Sequence, residues 1–309
     1  MKKFLLLLLI FTILTGPIFA VEFISIATGG TGGTYYPLGG GMAEIFNDTL
    51  DNVNATAEVT GASVENIRLV QYGEVELAFV QNDITFYAAT GTELFSDETL
   101  EDVRGIATLY PEIIQIITLE DKGINSVEDF AGKRIAVGAP GSGTEANARQ
   151  IINAHGLTYD DITVDYLSFS EAVDQLKDGH LDAAFLTGGT PTAAVMDLAA
   201  THDLKIININ DDIADILIDE FPFYTKHTIT ANTYSGLTKD VNTVSVQAML
   251  VTNVNLDEEL IYNITKSLFE NLDRLSAIHS RGSDVSIETA EAGMPVELHP
   301  GAKRFFEEQ

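Results

Sequence analysis

The chain holds 309 residues with a formal net charge of −29, 45% hydrophobic residues, no cysteine and no tryptophan. Such an excess of acid excludes nucleic acid and anionic membrane as partners, because both repel it. The absence of cysteine excludes a disulfide framework and zinc–thiolate sites, and a length well beyond the roughly 100–150 residues of one domain points to two lobes.

Met1, Lys2 and Lys3 precede an apolar run from Phe4 to Leu14, followed by Gly16, Pro17 and the small residue Ala20. This is the pattern of a secretory signal peptide cleaved after Ala20. The run falls well short of the roughly 20 residues that a membrane helix needs, so no membrane insertion is expected after cleavage. Removing residues 1–20 leaves 289 residues in the periplasm or outside the cell, and losing Lys2 and Lys3 moves the charge from −29 to −31. The surplus acid reads as a solvated surface suited to a saline habitat. An anionic ligand must therefore be held by local backbone dipoles or a shielded arginine, against a long-range field that salt screens.

Beyond Ala20, short β-rich runs alternate with helical stretches, the pattern of an α/β fold with a parallel sheet covered by helices. Strands are expected at 23–27, 57–59, 77–80, 134–137, 163–166, 183–186 and 205–209. Two longer apolar, β-branched runs, 103–118 and 243–252, read as strands that cross between lobes, and 257–278 as one helix returning to the first lobe. The expected division is a discontinuous first lobe, 21–112 with 245–309, and a second lobe at 113–244.

The chain repeats itself once. Thr28 to Thr34 carries Gly29, Gly30, Gly32 and Gly33, and Gly138 to Thr144 carries Gly141 and Gly143; each loop follows a strand and opens a helix. Downstream, Val70 to Val80 around Gly73 matches Leu176 to Leu186 around Gly179, each a helix end, a glycine C-cap and a buried strand. The order strand, glycine loop, helix, strand, helix, glycine, strand thus occurs twice. In open α/β sheets ligands bind beyond the carboxyl ends of the strands, so two facing units make a cleft.

Unsatisfied N–H groups and the positive end of the helix dipole make each glycine loop an anion site, suited to carboxylate or phosphate. Ser142 or Thr144 serves as N-cap and hydroxyl donor of the second loop. Glu145 beside it disfavours a bulky phosphate. Thr144 stands where a phosphate-binding loop needs lysine, and Tyr35 where a dinucleotide fingerprint needs a small residue, so nucleotides are disfavoured. Gln81 and Thr187, at the ends of matching strands, are neutral hydrogen-bonding groups for the cleft ceiling. Glu112, where the first crossing strand enters, either binds an ammonium group or is a solvated hinge residue.

Catalytic constellations are poor. The six histidines are scattered and read as surface residues, and Pro140 breaks the nucleophile elbow around Ser142. No enzyme activity, metal or cofactor is expected.

The stretches Ile26–Pro37, Gln81–Asp83, Leu109–Glu112, Gly138–Glu145 and Thr230–Gly236 together resemble the TAXI group of extracytoplasmic solute receptors that serve tripartite ATP-independent periplasmic (TRAP) transporters. The resemblance covers essentially the whole chain after Ala20. It implies a type II periplasmic-binding-protein fold that closes on a small carboxylate such as glutamate or 2-oxoglutarate and delivers it to a sodium-coupled TRAP permease. Carried over by position, the site comprises Gly32, Gly33, Tyr36, Gln81, Ser142, Gly143, Thr144 and Thr187, with Tyr234 a weaker candidate. The family often carries a proline early in the 230–236 stretch, and this chain does not. A sensory receptor for a membrane kinase and a secreted α/β hydrolase are the alternatives.

Overall fold

The computed structural model describes residues 21–309; the expected signal peptide, 1–20, lies outside the described residues. The first unit runs β1 (Glu22–Ala27), α1 (Tyr35–Thr49), β2 (Val53–Glu58), α2 (Ser63–Gln71), β3 (Leu77–Gln81) and α3 (Asn82–Thr90). β4 (Val103–Leu119) leads to the second unit: β5 (Arg134–Ala136), α4 (Gly143–Ala154), β6 (Thr163–Asp165), α5 (Phe169–Lys177), β7 (Ala183–Gly188) and α6 (Ala193–Ala199). β8 (Leu204–Ile207), α7 (Asp211–Glu220), β9 (Thr225–Ile229) and β10 (Val241–Asn253) follow, and α8 (Glu258–Phe269), α9 (Leu272–Ile278) and α10 (Pro300–Glu307) close the chain.

The repeat read from the glycines is a repeat of topology. β1 lies between β2 and β3, parallel to both, and β5 lies between β6 and β7, parallel to both. Each unit then meets an antiparallel strand, β10 beside β3 and β4 beside β7. Gly73 and Gly179 hold φ of +68° and +75° in equivalent turns, a left-handed backbone that glycine adopts without a Cβ penalty.

β4 and β10 are the crossing strands. They pair antiparallel along Val103 to Ile113, so one continuous sheet runs through both lobes of an α/β, periplasmic-binding-protein-like fold. Alternation along the strands gives each lobe two cores. Phe79 and Leu250 pack under α1 and α8, while Val80, Met249 and Val251 face α2 and α3. In the other lobe Ile113 and Ile117 face α5 and α6, while Ile114 and Ile116 face α4 and α7. Each buried side chain of this size contributes about 1.5–3 kcal/mol.

Three expectations need correcting. The stretch 257–278 is two helices, because the chain turns at Glu270 and Asn271 between α8 and α9. β2 begins four residues early, at Val53, because its polar residues lie on a sheet edge where one flank meets solvent. His299 is buried: its Nδ1 accepts from the Gly301 backbone to cap α10, and its Nε2 lies 3.2 Å from the Leu256 carbonyl.

Candidate functional site

Because β1 and β5 are the inner strands of equivalent units, the loops at their carboxyl ends face each other. The second helix of each unit adds another N-terminus. Thr34 and Tyr35 of α1, Ala62 and Ser63 of α2, Ser142 and Gly143 of α4, and Ser168 and Phe169 of α5 all line one cavity of about 70 Å³. Four positive helix ends converge on it, a favourable field for a negative group.

The four ends are capped differently. Ser142 Oγ accepts from the Glu145 backbone at 3.3 Å, and Ser168 Oγ accepts from Glu171 in a reciprocal capping box. α1 has no side-chain cap, because the Thr34 hydroxyl turns across the cleft and accepts from Gly189 N at 3.1 Å. The first N–H groups of α1 thereby have no side-chain cap.

No basic residue is among those that line the cavity, but one acid is. Glu112 is 2% exposed and accepts from the Tyr35 hydroxyl at 2.6 Å. Burial pushes its carboxyl up to about 8, opposed by the Tyr35 hydrogen bond and aided by the charge of Asp83. It is therefore no solvated hinge residue. Asp83, at the start of α3, is also buried, and burial pushes it up to about 6 against hydrogen bonds from Ile84 N and Asn147.

The lobes are closed on each other. Gly141 O accepts from Val64 N and Glu65 N, and Gly32 O accepts from Ala194 N at 3.2 Å. Asn147 of α4 donates to Asp83 Oδ2 at 2.9 Å and accepts from Gln81 Nε2 at 3.1 Å. Gln150 donates to the Tyr87 hydroxyl at 3.1 Å, and Arg149 pairs with Glu93. Such close approach demands small residues: a Cβ on Gly61 would stand 2.5 Å from the Pro140 carbonyl, and one on Gly143 would overlap the Gln81 amide. Ala62 holds φ of +76°, a strained backbone for alanine, at the turn that meets Gly141.

Of the residues expected from sequence, Gly33, Gln81, Glu112, Ser142, Gly143, Thr144 and Thr187 line the cavity. Gly32 stands behind it, its Cα closing on Ser170 of the other lobe. Tyr36 is 36% exposed and points away, and the tyrosine that lines the cavity is its neighbour Tyr35. Tyr234 is buried against Thr192 N and the Gln115 side chain, outside the lining. Glu145 accepts from Tyr159 and pairs with Arg149, so it serves its own helix.

Sequence reasoning missed Asn147, the turn at Thr60 to Ser63, and Ser168 with Phe169. Ser168 with Glu171 three residues on is a legible capping signal. Asn147 carries none: it becomes the hub only when the lobes meet.

Residues 26–309 match the model of the NMT1-like family. Among solved structures, the chain is similar to the periplasmic aliphatic sulphonate binding protein SsuA from Escherichia coli (14% identity, 93% of this chain and 84% of that one, TM-score 0.51). It is also similar to PhnD1 from Prochlorococcus marinus (MIT 9301) in complex with methylphosphonate (10%, 85% and 90%, 0.55). A third likeness is to a putative L-cystine ABC transporter from Listeria monocytogenes (14%, 86% and 98%, 0.52). At these identities the likeness concerns the fold, while the match along residues 26–309 shows that the chain belongs to the NMT1-like family.

Proposed function

We propose that this chain is an extracytoplasmic solute-binding protein, not an enzyme, that captures a small carboxylate between its lobes and delivers it to a membrane permease. The observation that carries this reading is the convergence of four helix N-termini, two from each repeated unit, on one cavity at the lobe junction. Backbone dipoles then supply the attraction for an anion that the surface charge of −29 does not. Ligand held by one lobe is met by the other as the hinge strands flex, and binding free energy drives a motion that a permease can sense. The solutes named for the structural neighbours, sulphonate, methylphosphonate and L-cystine, support a small solute as cargo.

The lobes divide, in this reading, into 21–112 with 245–309 and 113–244, since β4 and β10 are the long connections. The permease is of the TRAP class on the resemblance in the loops, and the ligand-contacting residues are those that line the cavity. Native mass spectrometry of protein purified without refolding, joined to small-angle scattering, tests the claim. A co-purified small acid whose removal expands the protein is the expected result; ligand-induced compaction retained in the double variant Gln81→Ala, Ser142→Ala with the native ligand would count against the site. Uptake into proteoliposomes with the cognate permease, driven by a sodium gradient without ATP, checks the transporter class.

A further inference from the structure

β4 and β10 form a hinge ribbon with two faces, and the cavity lies on one of them. Gln81 stands opposite Ala248, Glu112 opposite Val246 and Thr187 opposite Ile114. Cross-strand partners share a face and successive residues alternate, so these three cavity-lining residues project from one face of the sheet. The residues between them point the other way. Pro111 stands opposite Gln247, and Ser245 opposite Thr225 of β9. Pro111, Gln247 and Thr225 line an open groove of about 800 Å³ behind the hinge, against about 70 Å³ in the cavity.

Both lobes wall this groove. Phe223 and Thr225 belong to the second, just before and at the start of β9. Ala292, Met294 and Pro295 belong to the first, in a segment bound to the edge of β4: Thr108 Oγ1 donates to Ala292 O at 2.9 Å and Thr108 N to Ala290 O at 2.7 Å. Phe86 of α3 meets Phe223 across the lobes, their ring centroids 4.8 Å apart. Lobes that turn about a ribbon and part on one face approach on the other. Opening the cleft therefore brings these walls together and takes their apolar side chains out of water, a gain that scales with the area covered. The closed form keeps the contacts in front and leaves the rear lining wet.

We propose that the groove behind the hinge is the conformational counterpart of the cleft: its walls close on each other when the cleft opens, and the apolar surface they cover sets how strongly the ligand-free protein favours the open form. This inference rests on the reading of the lobes as closing on a ligand. A bulky side chain on either wall then blocks opening and raises affinity without touching the ligand, because apparent affinity scales with the fraction of protein competent to bind. Ala292 and Thr225 are exposed and neither lines the cavity, so tryptophan is accommodated at either without disturbing a core.

The chain has no cysteine, so paired spin labels on engineered thiols test the inference. One pair, Val59→Cys with Tyr166→Cys, sits at exposed positions after the carboxyl ends of β2 and β6 and spans the cleft. The other, Thr225→Cys with Ala292→Cys, spans the groove. Adding L-glutamate or 2-oxoglutarate should shorten the first distance and lengthen the second. Ala292→Trp and Thr225→Trp should each shorten the cleft distance in the ligand-free protein, and raise calorimetric affinity for the solute that binds at least about threefold. A groove distance that fails to lengthen as the cleft distance shortens, or tryptophans that leave the cleft distance or the affinity unchanged, overturn the inference alone. A cleft distance moved by neither solute nor tryptophan overturns the closing reading as well.

Discussion

Asn147 Nδ2 lies 2.9 Å from Asp83 Oδ2, joining α4 of one lobe to α3 of the other through a buried carboxylate. Removing the donor leaves Asp83 Oδ2 buried without its partner, so Asn147→Leu should weaken the closed form by about 1–3 kcal/mol. Calorimetry is expected to show an about five- to 150-fold loss in ligand affinity. Scattering should show a larger mean radius of gyration.

Gly143 reads the contact from the other side. A Cβ there would overlap the Gln81 amide only when the lobes are closed. Gly143→Ala is therefore expected to leave the melting temperature of the ligand-free protein near wild type and to reduce affinity. Overpacking of this kind costs about 1–3 kcal/mol, which the same titration reads as about five- to 150-fold.

The two neighbouring tyrosines separate geometry from motif. Tyr35→Phe removes the hydroxyl that donates to Glu112 inside the cavity, and affinity should fall about tenfold for the loss of a bond of about 1.4 kcal/mol to a buried carboxyl. Tyr36→Ala, at an exposed position, should leave affinity within about twofold.

Proton linkage follows from the buried acids. Burial raises Glu112 from 4.5 to about 8 and Asp83 from 3.8 to about 6, so the native chain binds more protons than the unfolded one between those values. Their contribution to stability is fully present below about pH 4 and is lost as pH rises toward 8. Differential scanning calorimetry should show this as a melting temperature that falls from pH 5 to pH 8. Glu112→Gln should flatten the upper part of that slope.

The duplicated βαβαβ units were legible because they are written locally: glycines after strands, left-handed C-caps at Gly73 and Gly179, and β-branched runs long enough to cross a hinge. The seven lining residues that sequence identified lie in or beside those same turns or on the strand ends they serve. The resemblance carries over Tyr36 where the cavity takes Tyr35, because a helix start does not reveal which of two successive side chains faces inward until the helix is docked. For Glu112 the sequence left open an ammonium-binding role or a solvated hinge residue, because a charged residue after Pro111 is ordinarily exposed.

The sequence by itself determined the α/β class, the two glycine loops and their opposition, since each depends on backbone chemistry within a few residues. The tertiary structure alone decided that four helix ends share one cavity, that Glu112 and Asp83 are buried, and that Asn147 bridges the lobes. Those facts depend on residues as far apart as Thr34 and Gly189, 155 positions, brought together by the packing of two lobes on one sheet, and side chains at that separation leave no periodic trace in the chain.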